Sequence, residues 1–454
     1  MTAPRHIAVI DVGKTNAKLA LVDLDRLEEI AVVTRPNTVI PGPPWPSFDL
    51  DGHWAFFLHH LAAFHAEHGV DAISVTTHGA AAVLLDAQGA LAAPMLDYEH
   101  DGPEQSAAGY DALRPSFAET GSPRLPLGLN LGAQLHWQLA QDPTLAQRVA
   151  QIVTYPQYWG FRLTGALASD MSSLGCHTDL WLPREARASA LLGRLGLGGR
   201  LAPPRKASDV LGTITPQIAA QTGLPQHTPV ACGIHDSNAS LLPHLIGRSG
   251  PFSVVSTGTW VIAMAVGGAQ TTLDPARDTL INVNAFGAPV PSARFMGGRE
   301  HALISEGRSG PPCPAEVLAN RIHLLPAVVP GCGPFPDRQH RWTVPPTNDG
   351  ALLCALAWYM ALMSDACLSL IGAEGPVIVE GPAARNDALL DMLAALRPGG
   401  VEIASSATGT SIGAALLFAP DMRASTQTHP LPANAEALRA HARDWQNALE
   451  LAET

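Results

Sequence analysis

Charge is scarce in this sequence. Only 15% of its 454 residues are Asp, Glu, Lys or Arg, and cations are the scarcer sign, 28 against 40 acids, for a net charge of −12. Such a chain is a poor partner for duplex nucleic acid or for an anionic membrane surface, which both need a counter-charge. A small anionic ligand stays open, because a few local donors decide that. The six cysteines (Cys176, Cys232, Cys313, Cys332, Cys354, Cys367) are scattered and form no C-x-x-C pair, so they read as reduced thiols in or near cores. No uninterrupted apolar run is long enough to span a bilayer. Met-Thr-Ala-Pro-Arg-His runs directly into a strand without a signal-peptide pattern, and no short-period repeat is visible. With 46% hydrophobic residues, the expectation is a cytoplasmic, well-packed protein of two large domains or more.

What is present centres on residues 229–260. The apolar run Val230 to Cys232 ends at Gly233, and the acid Asp236 follows. The run Phe252 to Val255 ends in Ser256-Thr-Gly258-Thr259-Trp260. Each reads as a buried strand delivering a polar loop. An acid at a strand end can serve as a general base, and a Ser-Thr-Gly-Thr loop offers hydroxyls and N–H groups to phosphate oxygens. Taken alone, such an acid is more often a turn or cap residue. It is the order and closeness of the two loops that count.

Ile7 to Val12 is a strand leading into Asp11-Val-Gly13-Lys14-Thr15-Asn16-Ala-Lys18, followed by a second apolar run, Leu19 to Val22. Gly13-Lys14-Thr15 imitates the end of a P-loop, G-x-x-x-x-G-K-[ST]. The first glycine position is Ala8, however, and a strand rather than a helix follows. A hairpin whose turn wraps phosphate, with Asp11 facing a metal, fits better; an ordinary hairpin is the bland alternative.

Further on, residues 36–54 form a Pro-, Gly- and Trp-rich loop, and Trp54 to Glu67 has helical spacing. His78, Asp97 and Glu99 stand at strand ends, where α/β proteins bind ligands. Tyr155 to Gly165 reads as a helix and Asp170-Met-Ser-Ser as a hydroxyl-rich turn. After Trp260 the order of elements begins again. Leu352 to Ile371 is a buried core helix, Pro376 to Val379 a strand ending in Glu380-Gly381-Pro382-Ala383-Ala-Arg385-Asn386, and Thr408 to Gly413 a polar turn entering a helix. Ala433 to Leu451 reads as a solvated surface helix. Two α/β halves, each opening on a strand and a Gly/Thr turn, suit a nucleotide held in a cleft between domains.

These residues resemble the FGGY carbohydrate kinases over roughly residues 6–418. Asp11-Val-Gly-Lys-Thr-Asn-Ala-Lys18 is similar to that family's first phosphate turn, D-x-G-x-T-[SN]-x-K. Leu163-Thr-Gly165 with Asp170 is similar to its L-T-G…D segment, Ser256 to Trp260 to its second phosphate turn, Glu380 to Asn386 to its adenosine turn, and Gly413-Ala-Ala to the helix start beside it. His235-Asp236 followed by Ala239-Ser240, and Asn130 with Gln134-Leu135, resemble the 6-deoxyketose branch, the kinases for L-rhamnulose and L-fuculose. Pro382 departs from the usual Gly-Gly-Gly by lacking an N–H. The segment Phe295-Met-Gly-Gly-Arg299-Glu300-His301 matches no general family motif.

The resemblance implies a two-domain α/β fold of the actin, heat-shock chaperone and sugar-kinase type with nucleotide in the interdomain cleft. Residues 1–242 would carry the sugar site, first phosphate turn and catalytic acid; residues 243–454 would carry the second phosphate and adenosine turns. ATP would phosphorylate a ketose, a 6-deoxyketohexose at O1, with Asp236 as base. Asp11, Gly13, Lys14, Thr15, Asn16, Lys18, Gly258, Thr259, Gly381, Pro382, Ala383 and Asn386 would bind the nucleotide, and Asp11 would hold Mg2+. His78, Asp97, Glu99, Asn130, Gln134, His235 and Asp236 would bind the sugar. The expected partner is that small molecule, with a homodimer left open and neither nucleic acid nor membrane. A kinase for xylulose, ribulose or another polyol, and a catalytically silent sensor on the same fold, are the alternatives.

Overall fold

The computed structural model describes residues 4–404 and 409–451. Thr408, the first residue of the polar turn read above, lies outside them. The chain forms two compact units, one of residues 1–248, 281–289 and 408–423, the other of residues 249–280, 290–407 and 424–454.

The first unit is built on a sheet whose two central strands, His6–Val12 and Ala72–Thr77, run parallel. Ile7 to Ile10, Val12, Ala72, Ile73 and Val75 are fully buried. Continuous apolar runs of this kind mark strands covered on both faces. Asn16–Asp23 and Glu28–Pro36 extend the sheet antiparallel on one side. Pro229–Ala231, parallel to Ala72–Thr77, and Val210–Thr213, antiparallel to it, extend it on the other. The helix Leu50–His68 starts where the Asp49 carboxylate accepts the Gly52 N–H at 2.9 Å and stops at Gly69. Such a cap is worth about 1 kcal/mol. Its buried face, with Phe57, Leu61 and Phe64, joins Trp159 of the helix Tyr155–Thr164 in the core.

The second sheet repeats those six strands and carries one more, Thr279–Val283, beside Pro289–Phe295. Phe252–Thr257 and Val377–Glu380 are the parallel centre. Val261–Val266 and Pro289–Phe295 follow antiparallel on one side, and Val401–Ala404 (parallel) then Thr426–His429 (antiparallel) lie on the other. The order of elements does begin again, at Phe252 rather than after Trp260. The helix Asp349–Leu370 is long and apolar enough to cross a membrane by composition, but 78% of its apolar window is buried inside the protein. It is a core helix, as its small residues indicated.

The C-terminal helix Ala435–Glu450 is not a merely solvated element. Leu438, Ala442, Trp445 and Leu449 are buried on one face, and the Trp445 indole N–H donates to the Leu324 carbonyl at 2.8 Å. Its charged face hides this from a composition-led reading.

Candidate active site

In the first unit, three parallel strands end together. Asp11 pairs with Thr76 and Val12 with Thr77, while Ile234 and His235 pair with Thr76 and Thr77 from the other side. Asp11, His78 and Asp236 are therefore delivered to one edge, the carboxyl end, where open α/β sheets bind ligands. Gly233 makes this register possible. Its φ is +96°, and a side chain there would approach the Val75 carbonyl to 2.9 Å.

Asp11 Oδ2 accepts hydrogen bonds from Thr410 Oγ1 (2.7 Å) and Ser411 Oγ (3.3 Å), the first residues of the helix Thr410–Ala415, and lies 3.3 Å from Lys18 Nζ. Its Oδ1 carries no partner among the described residues. Lys18 is shared with Glu29 at 3.1 Å. Thr15 and Asn16 are exposed at the turn, which is closed by the Gly13 N–H on the Asn16 carbonyl at 2.9 Å. Lys14 points elsewhere. It is ion-paired with Asp97 and, at 3.1 Å, with Glu99, and stands 5.2 Å from the Phe48 ring centre and 5.1 Å from that of Tyr98. The chain has three lysines, and two of them lie in this one turn.

His78 is surrounded by the rings of Phe48, Tyr98 and Tyr155, with centres 4.9 to 5.4 Å away. Burial lowers its pKa, with Lys14 and His235 adding to the effect. The neutral ring donates from Nδ1 to the Gly79 carbonyl at 3.0 Å, which leaves Nε2 as an acceptor. That Nε2 is buried without a partner, an unmet acceptor of the kind a ligand hydroxyl satisfies.

Asp236 opens the helix Asp236–Leu245. Its Oδ1 accepts the Ser237 N–H at 2.6 Å and the Ser237 hydroxyl at 3.3 Å, and lies 3.0 Å from His235 Nε2. No donor among the described residues reaches Oδ2. Burial is the largest influence and resists its charge, but His235, His78 and the Ser237 N–H together hold its pKa below the usual carboxylate value. His235 Nε2 is also 3.4 Å from Cys176 Sγ. The His235 N–H donates to Ser172 Oγ, which donates in turn to the buried Asp170. The hydroxyl-rich turn thus anchors the loop that carries Asp236.

Asn130 is not available to a sugar. It caps the helix Leu131–Gln141 by accepting from Gly132 and Ala133, accepts from Tyr110 Oη, and donates to the Pro123 carbonyl and to Asp179. Every polar atom is spent in a fully buried network. Gln134 donates to the Ala80 and Gly128 carbonyls, so only its Oε1 remains. His235 is 4% exposed and committed to Cys176, Asn238 and Asp236.

In the second unit, the turn Gly258–Trp260 joins the strands Phe252–Thr257 and Val261–Val266, closed by the Gly258 N–H on the Trp260 carbonyl at 2.9 Å. Glu380 pairs with Ser256, so the Glu380 to Asn386 turn stands at the neighbouring strand end. Thr257 Oγ1 donates to the Glu380 carbonyl (2.6 Å) and accepts the Ala383 N–H (3.1 Å), tying the two turns together. Pro382 occupies the first position of the short helix Pro382–Arg385, where a missing N–H costs no bond. Asn386 caps the helix Asp387–Leu396 by accepting the Leu389 N–H at 3.2 Å.

The segment around Arg299 finds its place here. The helix Gly297–Ser305 starts against the second turn, with the Gly298 N–H on the Thr259 carbonyl at 3.1 Å. A side chain at Gly298 would overlap the Gly258 carbonyl. Glu300 is buried, accepting from the Val329 N–H and Tyr359 Oη, so it fixes a loop. Arg299 is exposed beside the turn, and no partner holds it among the described residues.

Among the described residues no three His, Cys, Asp or Glu side chains converge as a metal site. One free oxygen on Asp11 nevertheless fits magnesium, which keeps several waters and takes one or two carboxylates with phosphate oxygens. Cys176 and the aromatic wall of Phe48, Tyr98 and Tyr155 carried no motif in the sequence. Thr410 and Ser411 were visible only as a polar turn.

Residues 6–243 match the FGGY family of carbohydrate kinases, N-terminal domain, and residues 249–427 match Carbohydrate kinase FGGY, C-terminal domain. An L-fuculokinase of Salmonella typhi is 27% identical over 280 residues, 59% of this chain and 57% of that protein. A xylulose kinase of Escherichia coli (strain K12) is 26% identical over 268 residues, 55% of this chain and 54% of that protein. The chain thus matches little more than half the length of these curated relatives. The crystal structure of a carbohydrate kinase from Novosphingobium aromaticivorans is 36% identical, covers both chains in full and superposes with a TM-score of 0.92. Plasmodium falciparum glycerol kinase with ADP, 13% identical over 98% of each chain, shares the fold at a TM-score of 0.77. The fold is that of the two-domain actin-like sugar kinases, and the chain belongs to the FGGY family of carbohydrate kinases.

Proposed function

We propose that this protein transfers the γ-phosphoryl group of ATP to a ketose, with a 6-deoxyketohexose such as L-fuculose or L-rhamnulose, at O1, as the preferred acceptor. The observation that carries the reading is Asp236 itself. It is an ionised carboxylate with one oxygen held and the other unengaged, at the same strand edge as the unsatisfied Nε2 of His78. Asp236 Oδ2 takes the hydroxyl proton as that oxygen attacks phosphorus. His78 Nε2 and Gln134 Oε1 accept from other hydroxyls. Phosphoryl transfer is mostly positioning and charge stabilisation.

Asp97, Glu99 and Lys14, two acids about one cation, form a polar wall that exchanges its internal ion pairs for sugar hydroxyls. Against it lies the ring of Tyr98, half-buried, with the buried rings of Phe48 and Tyr155 behind His78. A methyl resting on such a ring discriminates by roughly 10–200-fold, which supports a deoxy sugar. In the first unit, the turn from Gly13 to Lys18 would bind phosphate oxygens, and Asp11 would hold Mg2+, which would neutralise charge on them. In the second, Gly258 and Thr259 are phosphate ligands, and Gly381, Pro382 and Ala383 line the adenosine. Asn386 serves them only indirectly, as a cap.

The test is ADP release with ATP, magnesium and L-fuculose, L-rhamnulose, xylulose and ribulose in parallel. A strong preference for one deoxyketose is expected. A preference for xylulose, the acceptor named for relatives of similar identity, would keep the chemistry and move the specificity. No turnover with any of the four would sink the proposal.

A further inference from the structure

The base has a second layer behind it. His235 Nε2 lies 3.0 Å from Asp236 Oδ1 and 3.4 Å from Cys176 Sγ. An unprotonated Nε2 at that distance would set its lone pair against a carboxylate oxygen, so Nε2 carries a hydrogen. That one hydrogen is shared between Asp236 Oδ1 at 3.0 Å and Cys176 Sγ at 3.4 Å. On the far side of the ring, Nδ1 is 3.0 Å from the Asn238 amide. The cluster is close-packed. A methyl on Gly79 would come within 2.8 Å of His235 Nε2 and 2.9 Å of Cys176 Sγ, so only glycine leaves room for the pair.

We propose that Cys176 and His235 are a positioning pair for the base: the sulfur holds the imidazole in place from one side, and the shared Nε2–H pins Asp236 Oδ1 so that Oδ2 meets the acceptor hydroxyl. This rests on the kinase reading and goes beyond it. Neither residue touches sugar; both act through Asp236. In the transfer step the hydroxyl proton passes to Oδ2, the new P–O bond forms to the sugar oxygen, and the bridging oxygen leaves on ADP with the electrons of the broken bond. His235 loses no proton in this step; it keeps the carboxylate ionised and oriented before it.

The electrostatics agree. Burial resists charge on both partners. Even so, His177 and His235 bring the Cys176 thiol down to about 6, and Cys176 and Asp236 hold His235 well above the ordinary histidine value. The other charged or titratable groups facing the pair are His177 beside Cys176 and Asp170 behind Ser172. Beyond the carboxylate stand His78 and Tyr98, with Lys14 acting on His78.

The experiment is a pH profile of kcat/KM for wild type, His235→Gln and Cys176→Ala, with the accepted ketose. With His235→Gln, Asp236 loses the N–H that pins Oδ1, so the acidic limb should move up by about one pH unit, with kcat down roughly 10–100-fold and sugar KM within about twofold. With Cys176→Ala, the ring loses the contact that holds it, so the acidic limb should move the same way by a smaller amount, with sugar KM again within about twofold.

Unchanged limbs in both variants would overturn the proposal, as would a rise in sugar KM alone, which would make His235 a sugar contact. If His235→Gln fails to fold, the ultraviolet absorbance of the Cys176 thiolate decides. Wild type minus Cys176→Ala should show a thiolate titrating near neutrality or below, and an ordinary thiol there refutes the pair. Asp236→Asn separates this from the kinase reading: retained turnover would refute the base assignment while leaving the thiolate titration in place.

Discussion

The two halves share one sheet topology and use its corresponding turn differently. In the first, the turn after His6–Val12 is crowded with charge: Asp11, Lys14 and Lys18 belong to it, and Asp97, Glu99 and Glu29 pair with it. In the second, Ser256 to Trp260 carries no charge, and its cations arrive on other elements: Arg294 stands 4.7 Å from the centre of the Trp260 ring, and Arg299 lies on the helix Gly297–Ser305. Each turn holds a single glycine, and the two are alike in their surroundings. A methyl at Gly13 would meet only the Asn16 carbonyl at 3.6 Å, and one at Gly258 only the Trp260 carbonyl at 3.7 Å. Neither glycine is demanded by its own turn. The steric demand sits on partners in the second half, Gly298 and Gly381, where a side chain would overlap the Gly258 and Thr257 carbonyls. A repeated backbone thus serves charge handling in one half and close backbone approach in the other.

The largest effect should come from the charged half. Asp236→Asn should lower kcat by roughly 10²–10⁴-fold, the contribution of a positioned general base, while sugar binding measured by calorimetry stays within a few-fold. Next come the second half's packed glycines. Gly298→Ala should cost about 1–3 kcal/mol of stability, read as a lower denaturation midpoint, and raise the KM for ATP without moving that for sugar. Gly13→Ala, in the first half's own turn, should be nearly neutral in both; equal damage would break the contrast drawn above. Smallest is Pro382→Ala, which should leave the KM for ATP within about twofold, because the proline's missing N–H was unpaired in any case.

Acid should weaken both halves by a shared route. His53 in the first is lowered to about 4 by burial, with Arg35 adding, and His441 in the second to about 3 by burial, with His323 adding. Both are neutral when folded and bind protons near 6.5 when unfolded. Their stabilisation is therefore present above pH 6.5 and is lost as pH falls towards 4 and then 3, at about 1.4 kcal/mol per pH unit for each group. Denaturant midpoints measured from pH 7 to pH 4 should fall accordingly, and replacing His441 by Phe should flatten the curve.

Strand ends and their acids were legible in the sequence, because a buried parallel strand writes itself as an unbroken apolar run. Asp11, His78 and Asp236 emerged in that way. Residues whose role depends on who packs beside them were not legible. Asn130 has the right type for a sugar ligand, and only the buried Asp179 and Tyr110 around it reveal that nothing is left to offer. Cys176 read as a core thiol until His235 was placed against it. Gly297-Gly298 had no motif, because its meaning lies in the carbonyl of Gly258, forty residues earlier. The C-terminal helix looked solvated since its exposed charges outnumber the few large side chains it buries.

The first unit is discontinuous: it takes residues 408–423 from far along the chain. The helix that supplies Thr410 and Ser411 to Asp11 packs through Gly413 against the Ala239 backbone and receives the Ser74 hydroxyl on the Ala414 carbonyl. During synthesis, the strands of the first unit are complete at residue 248 but wait 175 residues for that helix. At about 5–20 residues per second, this is roughly 10–35 s in which Asp11 and Ser74 lack their partners. A nascent chain halted before residue 410 should therefore leave that face of the sheet uncovered and bind a hydrophobic dye, and one released past residue 423 should not.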